Sequence, residues 1–306
     1  MKKGLEEARE LYLRKGRQML QDLFPAEQGR IAVGLAGRGS ECFGYDDAVS
    51  RDHDFAPGFC LWLTDEDDLL FGSRLRRACR EIFPPPDACS KSALGEEAAG
   101  VHRISDFYRR YTGCAGAPET LEHWLSLPSS ALAEATNGEV WRDDLGAFSS
   151  VRETLLHGMP EDVWRKKIAA RALEMAQAGQ YNYARCLQHG QAGSAQLALF
   201  AFVKAACSMV FLLNRRHEPY YKWVFRAMED LPKLSPIKDA LEFLLLEDAE
   251  RDLRQGVVED ICAQVIAELR SQQLTESRSA YLEPHAFSIQ EHITSRALRT
   301  MHILDG

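Results

Sequence analysis

The sequence predicts an α+β protein in which a small mixed-sheet domain precedes an all-helical bundle domain. Two short apolar runs of strand length lie in the first half of the chain and end in glycine or a polar loop. Beyond about residue 160, long amphipathic or apolar stretches with helical spacing follow one another. With 306 residues, of which 45% are hydrophobic and 27% charged, the chain has room for two globular domains. We expect the first over residues 1–158 and the second over residues 159–306, ending in a loosely docked polar arm.

The strands are predicted from short apolar runs. Residues 30–37 contain the run Ile-Ala-Val-Gly-Leu-Ala and end in glycine, and residues 59–63 read Phe-Cys-Leu-Trp-Leu. A third strand is predicted over residues 101–107, before the turn residues Thr112-Gly113. The first half therefore mixes strands with helices.

The helices are predicted from apolar residues at helical spacing. Residues 5–24 form an entry helix that a proline stops, and Asp65 can cap a second helix over residues 67–83, which a run of three prolines ends. Four further helices are predicted over residues 161–178, 194–213, 236–254 and 257–273. The domain boundary is placed at residues 158–160, with the Asn137-Gly138 turn as the alternative.

The charge and hydropathy patterns argue against nucleic-acid and membrane partners and against export. The chain carries 37 basic and 45 acidic side chains, and its net charge of −8 argues against a nucleic-acid partner. The longest apolar stretch, residues 197–213, is shorter than a bilayer span and carries Lys204. Charged residues interrupt the first 24 positions, where an export signal needs a continuous apolar core. We expect a cytoplasmic protein with no membrane partner.

The eight cysteines are predicted to be free buried thiols. The closest pair is Cys79 and Cys89, and no C-x-x-C occurs. The spacing therefore favours neither a zinc site nor a redox pair.

Two aspartates at alternate positions form the first chemical motif. In an extended strand, Asp52 and Asp54 point to one face and His53 to the other. Neighbouring carboxylates repel unless a cation compensates them, and an oxygen pair suits Mg²⁺ that bridges substrate phosphates. The alternative is a polar loop with solvated acids, and His53 is assigned to packing on the opposite face.

A glycine-serine turn precedes these aspartates. Gly39 would allow close approach of the backbone to a phosphate, and Ser40 could donate its amide and hydroxyl hydrogens. Glycine before serine is common in ordinary turns, so the assignment depends on the spacing to Asp52. Neither a P-loop nor a dinucleotide glycine motif is present.

Gly39-Ser40, followed after about a dozen residues by Asp52-x-Asp54, resembles the active-site signature of the DNA polymerase beta-like nucleotidyltransferase superfamily. The surrounding sequence resembles a bacterial branch near the antibiotic (aminoglycoside) nucleotidyltransferases. Arg215, the segment Pro-Tyr-Tyr-Lys-Trp at residues 219–223 and the following Leu-Pro resemble the helical domain of that branch. The resemblance extends from about Gly34 to Pro232.

The resemblance implies a chemistry and a set of roles. Asp52 and Asp54 would be catalytic ligands of two Mg²⁺ ions, while Gly39 and Ser40 would hold the triphosphate of ATP or another nucleoside triphosphate. A hydroxyl acceptor would attack the α-phosphorus and displace pyrophosphate. The superfamily usually adds a third acid from a later strand.

The third acid is assigned to Asp106 on the predicted third strand. Asp143 and Asp144 are the alternatives, although they follow a segment that resembles the closing element of such a domain. Asp46 and Asp47 lie in the loop between the two motifs, where they are expected to be solvated, to cap a turn or to approach a metal through water.

Lys222 is the candidate phosphate ligand from the helical domain, as a lysine is in the related antibiotic-modifying enzymes. Lys204 and Arg215 are weaker candidates, and a surface or interdomain salt bridge is the alternative for all three. Tyr220, Tyr221 and Trp223 could stack on a base or pack between the domains. Tyr181, Asn182, Tyr183 and Arg185 are additional candidates for lining the cleft.

The function predicted from these motifs is transfer of a nucleoside monophosphate, AMP as the first choice, to a small-molecule or protein hydroxyl. The chief alternative is a catalytically inactive nucleotide- or partner-binding protein of the same fold, regulatory or toxin–antitoxin-like. A polymerase or RNA-tailing enzyme is a third reading, and the lack of a basic stripe argues against it.

Overall fold

The computed structural model describes residues 2–47, 58–82, 99–247 and 250–306. The chain divides into two compact units. The first comprises Met1–Pro118 and Ala131–Gly158, and the second comprises Glu119–Ser130 and Met159–Gly306. The predicted division at residue 158 did not anticipate that the segment Glu119–Ser130 packs with the second unit.

The first unit is built on a four-stranded mixed sheet. Its strands are β1 (Ala32–Leu35), β2 (Cys60–Leu63), β3 (Gly100–Arg103) and β4 (Glu139–Arg142), in the spatial order β3-β2-β1-β4. β1 runs antiparallel to β2 and β4, with Val33 opposite Leu61, and β2 runs parallel to β3. Together with the helices, this sheet confirms the α+β class predicted from the sequence.

Helices precede, separate and follow these strands along the chain. A long N-terminal helix consists of α1 (Gly4–Leu11), a π-helical turn (Tyr12–Gly16) and α2 (Arg17–Leu23), as predicted for residues 5–24. After β2 the chain forms α3 (Asp65–Asp67), a π-helical turn (Asp68–Gly72) and α4 (Ser73–Cys79). The next helices are α5 (Ile104–Thr112), α6 (Leu121–Ser126), α7 (Ser129–Thr136) and α8 (Ala147–His157). Of these, α6 belongs to the second unit.

The two faces of the sheet are buried by different helices. On one face, Val33 and Leu61 belong to a buried cluster that includes Leu11, Leu20 and Leu75 from the N-terminal helix and α4. On the other face the buried Trp62 stacks on Phe148 of α8, with ring centroids 3.9 Å apart, and contacts Phe107 of α5 edge-on at 5.6 Å. The central strands are therefore apolar on both faces, which explains their unbroken hydrophobic sequence.

The predicted third strand is shorter than expected. β3 ends at Arg103, and residues 104–112 form α5. The buried residues Ile104, Phe107 and Tyr108 are spaced three and four apart, which is the period of a helix rather than of a strand. The prediction of a strand over residues 101–107 was therefore wrong beyond residue 103.

The helix after β2 begins earlier than predicted. Thr64 is its N-cap, because its hydroxyl oxygen accepts a hydrogen bond from the Asp67 amide at 3.1 Å. Asp65, predicted to be the cap, is the first helical residue. A carboxylate in the first turn still interacts favourably with the positive end of the helix dipole.

The described residues of the second unit after 158 form helices joined by turns and loops, with no strand among them. Its helices are α9 (Glu161–Met175), which continues through a π-helical segment (Ala176–Tyr183) into α10 (Ala184–Gln188), then α11 (Ala192–Leu213), α12 (Val224–Met228), α13 (Ile237–Leu246), α14 (Arg251–Ser271), α15 (Leu282–Glu291) and α16 (Arg296–Thr300). A 3-10 turn (Tyr221–Trp223) precedes α12. The helix predicted over residues 236–254 is divided, since α13 ends at Leu246 and α14 begins at Arg251.

The chain after residue 274 packs as part of the helical core, where the sequence predicted a loosely docked arm. Leu282, Ile289 and Leu298 are fully buried, and α15 packs along α9. The buried Lys166 donates hydrogen bonds to the carbonyl oxygens of Met301 at 3.2 Å and His302 at 2.7 Å. The apolar positions in this segment follow a helical period, but polar residues outnumber them and hide the pattern.

Among the described residues, one helix is long and apolar enough to cross a membrane by length and composition alone. This helix is α11, and 56% of its most apolar window is buried within the protein. It packs against α9 and the π-helical segment, as a core helix does. Lys204 lies on its exposed side.

Candidate functional site in the first unit

The chain turns sharply where β1 ends. Gly37 (φ +120°) and Gly39 (φ +133°) both adopt left-handed backbone conformations that side chains with a Cβ disfavour. The Ser40 carbonyl oxygen then accepts hydrogen bonds from the amides of Tyr45 at 2.9 Å and Phe43 at 3.2 Å. Residues 37–45 thus form a compact turn at the end of a fully buried strand.

Asn137 holds the start of this turn. Its Oδ1 accepts a hydrogen bond from the Gly37 amide at 2.8 Å, and its Nδ2 donates to the Gly37 carbonyl oxygen at 2.7 Å. The next residue, Gly138, has a φ of +67° and lies so close to Leu35 that a Cβ would overlap the Leu35 carbonyl oxygen. The Asn-Gly turn before β4 therefore fixes the backbone that follows β1.

Glu41 folds back onto the same turn. Its carboxylate accepts hydrogen bonds from the Ser40 hydroxyl and from its own amide. A Cβ built on Gly39 would lie 2.7 Å from Glu41 Oε2, so the carboxylate fills the space beside that glycine. Burial is the main cause that raises the pKa of Glu41, and the negative charge of Asp46 raises it further.

Buried protonated groups lie behind the turn. Burial raises the pKa of Tyr111 to about 12 and raises that of the Cys42 thiol well above its usual range. Burial also raises the pKa of Glu134. Arg38, whose Nε lies 4.0 Å from Glu134 Oε2, opposes this rise. The phenol and the thiol therefore remain neutral at neutral pH and add no charge behind the turn.

Asp46 is tied to the N-terminus of α1. Its side chain is 1% exposed, and Oδ2 accepts a hydrogen bond from the Gly4 amide at 2.9 Å. The Lys3 ammonium donates to the Asp46 carbonyl oxygen at 2.7 Å. Of the alternatives predicted for Asp46, solvation is wrong, because the side chain is buried against the first amide of α1. Its neighbour Asp47 is exposed.

The two predicted metal ligands, Asp52 and Asp54, lie outside the described residues, as does His53. Their assignment stays a prediction. In the ranges 2–47, 58–82, 99–247 and 250–306, no group of three or more His, Cys, Asp or Glu side chains is arranged to hold a metal ion.

The candidates for the third acid are placed on a helix and around β4. Asp106 lies in the first turn of α5 rather than on a strand, and its half-exposed carboxylate accepts a hydrogen bond from Arg109 at 2.7 Å. Asp143 accepts a hydrogen bond from the Ser149 amide at 2.7 Å near the start of α8. Asp144 pairs with Arg142 at 2.6 Å. The catalytic role of Asp106 stays a prediction.

In the second unit, Lys222 lies in the 3-10 turn before α12. Its Nζ is 4.9 Å from the centroid of the Trp223 ring, and the rings of Tyr220 and Tyr221 are 4.3 Å apart. The Arg215 guanidinium stacks on Trp164, and its Nη2 donates to Glu161 at 2.6 Å. Arg215 thus forms a salt bridge, which was the alternative to phosphate contact.

A half-buried polar cluster in the second unit could not be recognised from the sequence. Burial lowers the pKa of Lys167 to about 8, with a contribution from Arg171, while its Nζ donates to the carbonyl oxygens of Leu125 at 3.0 Å and Leu127 at 3.3 Å. Burial raises the pKa of Glu218, which accepts a hydrogen bond from a serine hydroxyl. No local signal marks Lys167, because it stands in an Arg-Lys-Lys run typical of a helix surface.

Glu41 and Asn137 were also missed as members of the site. Asn137-Gly138 was recognised only as a turn, and its contact with Gly37 joins residues 100 positions apart. Glu41 follows the glycine-serine pair directly, but the sequence does not indicate that its carboxylate turns back.

Comparisons with known proteins give two similarities. A family model described as "Domain of unknown function (DUF4037)" matches residues 124–224, a minority of the chain. The chain is also similar to the crystal structure of a nucleotidyltransferase-like protein from Exiguobacterium sibiricum 255-15, with 11% identity, a TM-score of 0.37, and coverage of 90% of this chain and 80% of the other. A search of curated proteins finds no match.

Proposed function

We propose that this protein is a metal-dependent nucleotidyltransferase. It would move a nucleoside monophosphate, with AMP as the first candidate, from a nucleoside triphosphate to a hydroxyl acceptor and release pyrophosphate. The observation that carries the proposal is the left-handed turn at Gly37 and Gly39, which leads from the buried β1 directly to Ser40. Its second support is the spacing from Gly39-Ser40 to Asp52-x-Asp54, which resembles the polymerase beta-like signature.

The proposed roles follow from the chemistry of each side chain. Gly39 allows phosphate oxygens to approach the backbone, and Ser40 offers hydroxyl and amide donors. Asp52 and Asp54 would hold Mg²⁺, which when bound supplies charge neutralisation at the reacting phosphates. Asp106 would accept the proton of the attacking hydroxyl. Lys222 would contribute positive charge to the triphosphate.

The acceptor belongs to the class of hydroxyl-bearing small molecules or protein side chains. The net charge of −8 would favour a cationic acceptor such as an aminoglycoside-like sugar through long-range attraction. We propose a cytoplasmic location, because nucleoside triphosphates and Mg²⁺ are abundant in that compartment.

The test is pyrophosphate release from each of the four common nucleoside triphosphates with Mg²⁺ and a panel of hydroxyl acceptors. We expect Asp52→Asn, Asp54→Asn and Asp106→Asn each to lower the rate about 10²–10³-fold. Lys222→Met should weaken triphosphate affinity about tenfold. Asp239→Asn, whose side chain is 86% exposed in the second unit, is the matched control and should leave the rate unchanged.

Each outcome has a definite meaning. Acceptor-dependent release that requires Asp52 and Asp54 establishes the activity and identifies the donor. Nucleotide binding without release by any acceptor favours the inactive binding protein of the same fold. Absence of both release and Mg²⁺-dependent binding would contradict the proposal. Loss of activity in Asp52→Asn and Asp54→Asn, but not in Asp106→Asn, would remove only the assignment of the third acid.

A further inference from the structure

Two hydrogen-bond donors of the Gly39-Ser40 turn are already used within the chain. The Ser40 hydroxyl, which the proposed function assigns to the triphosphate, donates to the Glu41 carboxylate, and so does the Glu41 amide. The carboxylate also fills the space beside Gly39, where the absence of a Cβ would otherwise admit a ligand oxygen. A carboxylate and a phosphate use the same donors, because both are oxygen anions.

The Glu41 carboxylate lies in surroundings that do not favour a negative charge. Burial is the largest influence on it, and Asp46 in the same loop adds a second negative charge. The thiols of Cys42 in the loop and Cys60 on β2 are buried beside it and are neutral at neutral pH.

Titratable groups on two helices lie in the same neighbourhood. Glu134 on α7 raises the pKa of the Cys42 thiol, and Arg38 lowers the pKa of Glu134. Cys42 also raises the pKa of Tyr111 on α5. The two hydrogen bonds to Glu41 are therefore opposed by the loss of its hydration. Movement of the side chain into water would recover that hydration.

We propose that Glu41 is an internal competitor for the triphosphate: its carboxylate occupies the Gly39-Ser40 turn in the free protein and leaves the turn when nucleotide binds. The proposal rests on the proposed function, since the turn must be the triphosphate site. Glu41 would then lower the apparent affinity of the turn for every competing anion by the same factor, so that at low concentration only a tightly binding anion such as a triphosphate occupies the turn.

Glu41→Gln tests the proposal with little change in size. The amide retains an oxygen acceptor for the Ser40 hydroxyl but removes the charge that repels phosphate. We expect the variant to bind ATP, with and without Mg²⁺, about three- to tenfold more tightly than the native chain. Inorganic triphosphate should show the same gain, because the competition concerns phosphate oxygens rather than the base. Ser40→Ala should weaken binding in both backgrounds.

Glu134→Gln is the matched control. Burial also raises the pKa of this carboxyl group, it lies in the same unit, and its replacement changes the net charge by the same amount without touching Ser40. An equal gain in affinity from Glu134→Gln would overturn the proposal, because the effect would then be a general one of charge. Thermal unfolding of each variant verifies that the fold is retained.

The remaining outcomes separate this proposal from the proposed function. If the native chain releases pyrophosphate in an Asp52- and Asp54-dependent manner and Glu41→Gln binds ATP equally or more weakly, Glu41 is not a competitor, although the transferase stands. Weaker Mg²⁺-dependent binding and lost turnover in Glu41→Gln would instead make Glu41 a metal ligand or base. If no folded variant binds nucleotide or triphosphate, both proposals fail. Binding of ATP or triphosphate that appears only in Glu41→Gln would directly support the role of Glu41 as an internal competitor.

Discussion

At the scale of single residues, two glycines with almost the same backbone angle have different surroundings. Gly138 (φ +67°) lies against the carbonyl oxygen of Leu35, whereas Gly146 (φ +68°) has no atom within 4 Å of the place where a Cβ would be. Both positions disfavour a side chain because of the left-handed conformation, but only Gly138 lacks the space for one.

We expect replacement of Gly138 and of Gly146 to cause different losses of stability. Gly146→Ala should cost about 1–2 kcal/mol of unfolding free energy through backbone strain alone. Gly138→Ala should cost about 3 kcal/mol or more, because the end of β1 must also shift to relieve the overlap. Urea unfolding of the two variants measures the difference. Equal losses would show that the contact between Gly138 and Leu35 has no separate effect.

Asn137 and Asn214 allow stability to be separated from ligand binding. Each uses its side-chain amide to bind backbone groups: Asn137 binds Gly37, and Asn214 binds Val210 and Lys233. Replacement of Asn137 by alanine should cost about 1–3 kcal/mol, because the partly buried amide and carbonyl groups of Gly37 lose their partner. Replacement of Asn214 by alanine should cost about 0.5–1.5 kcal/mol, because water can replace its exposed hydrogen bonds to Lys233.

Only Asn137→Ala should also weaken nucleotide binding, because it frees the turn that leads to Ser40. We expect about a tenfold increase in the dissociation constant for ATP, measured by calorimetry below the unfolding temperature of each variant. Asn214→Ala should bind ATP as the native chain does. Identical ATP affinities in the two variants would show that the contact between Asn137 and Gly37 does not affect nucleotide binding.

These residue contacts mark the limit of what the sequence reveals. The glycine-serine pair and its location after a strand could be predicted, because a strand closed by glycine is a local pattern. The partners of the turn could not, because Asn137 is distant in the chain and the direction of the Glu41 side chain depends on packing.

At the scale of elements, Lys167 joins α9 to the C-terminal end of α6. Because burial lowers its pKa from the usual 10.5 to about 8, the unfolded chain binds a proton that the folded protein has lost between those pH values. The unfolding free energy should therefore rise with pH in this window, by at most about 1.4 kcal/mol per pH unit from this group. Below about pH 8 both states are protonated, and the contribution is constant.

Lys167→Met should remove this contribution. We expect the unfolding free energy of the native chain to increase relative to that of the variant between pH 8 and 10.5, measured by urea unfolding at pH 8, 9 and 10. Lys222→Met is the control, since it removes a lysine in the same unit that lies outside this cluster, and its pH profile should parallel the native one. Parallel native and Lys167→Met profiles would show that Lys167 titrates as an ordinary surface lysine.

The elements differ in how well the sequence predicts them. α11 extends over 22 residues and α14 over 21, so their apolar patterns repeat enough times to be recognised. β3 has only four residues and continues directly into α5. A short strand followed without a turn by a helix offers no local boundary, which is why Asp106 was expected on a strand.

At the scale of the whole molecule, the sequence predicted an α+β chain and two compact regions, with a change near residue 158. It did not predict that Glu119–Ser130 would belong to the second unit, or that the chain beyond residue 274 would pack into the helical core. Both depend on packing between segments distant in the chain. Such packing cannot be recognised from the local periodicity of apolar residues.

The position of β1 between β2 and β4 has a consequence for the growing chain on the ribosome. β4 begins at residue 139 and β1 ends at residue 35, so 104 residues (139 − 35) must be added before β1 can pair on that side. At typical rates of synthesis this takes roughly 5–20 s, during which one edge of a very apolar strand has no partner. Nascent chains that stop before Glu139 would present that edge to other chains, and chaperones would be needed to shield it. Completion of Glu139–Arg142 is thus the step that covers the second edge of β1 in the newly made protein.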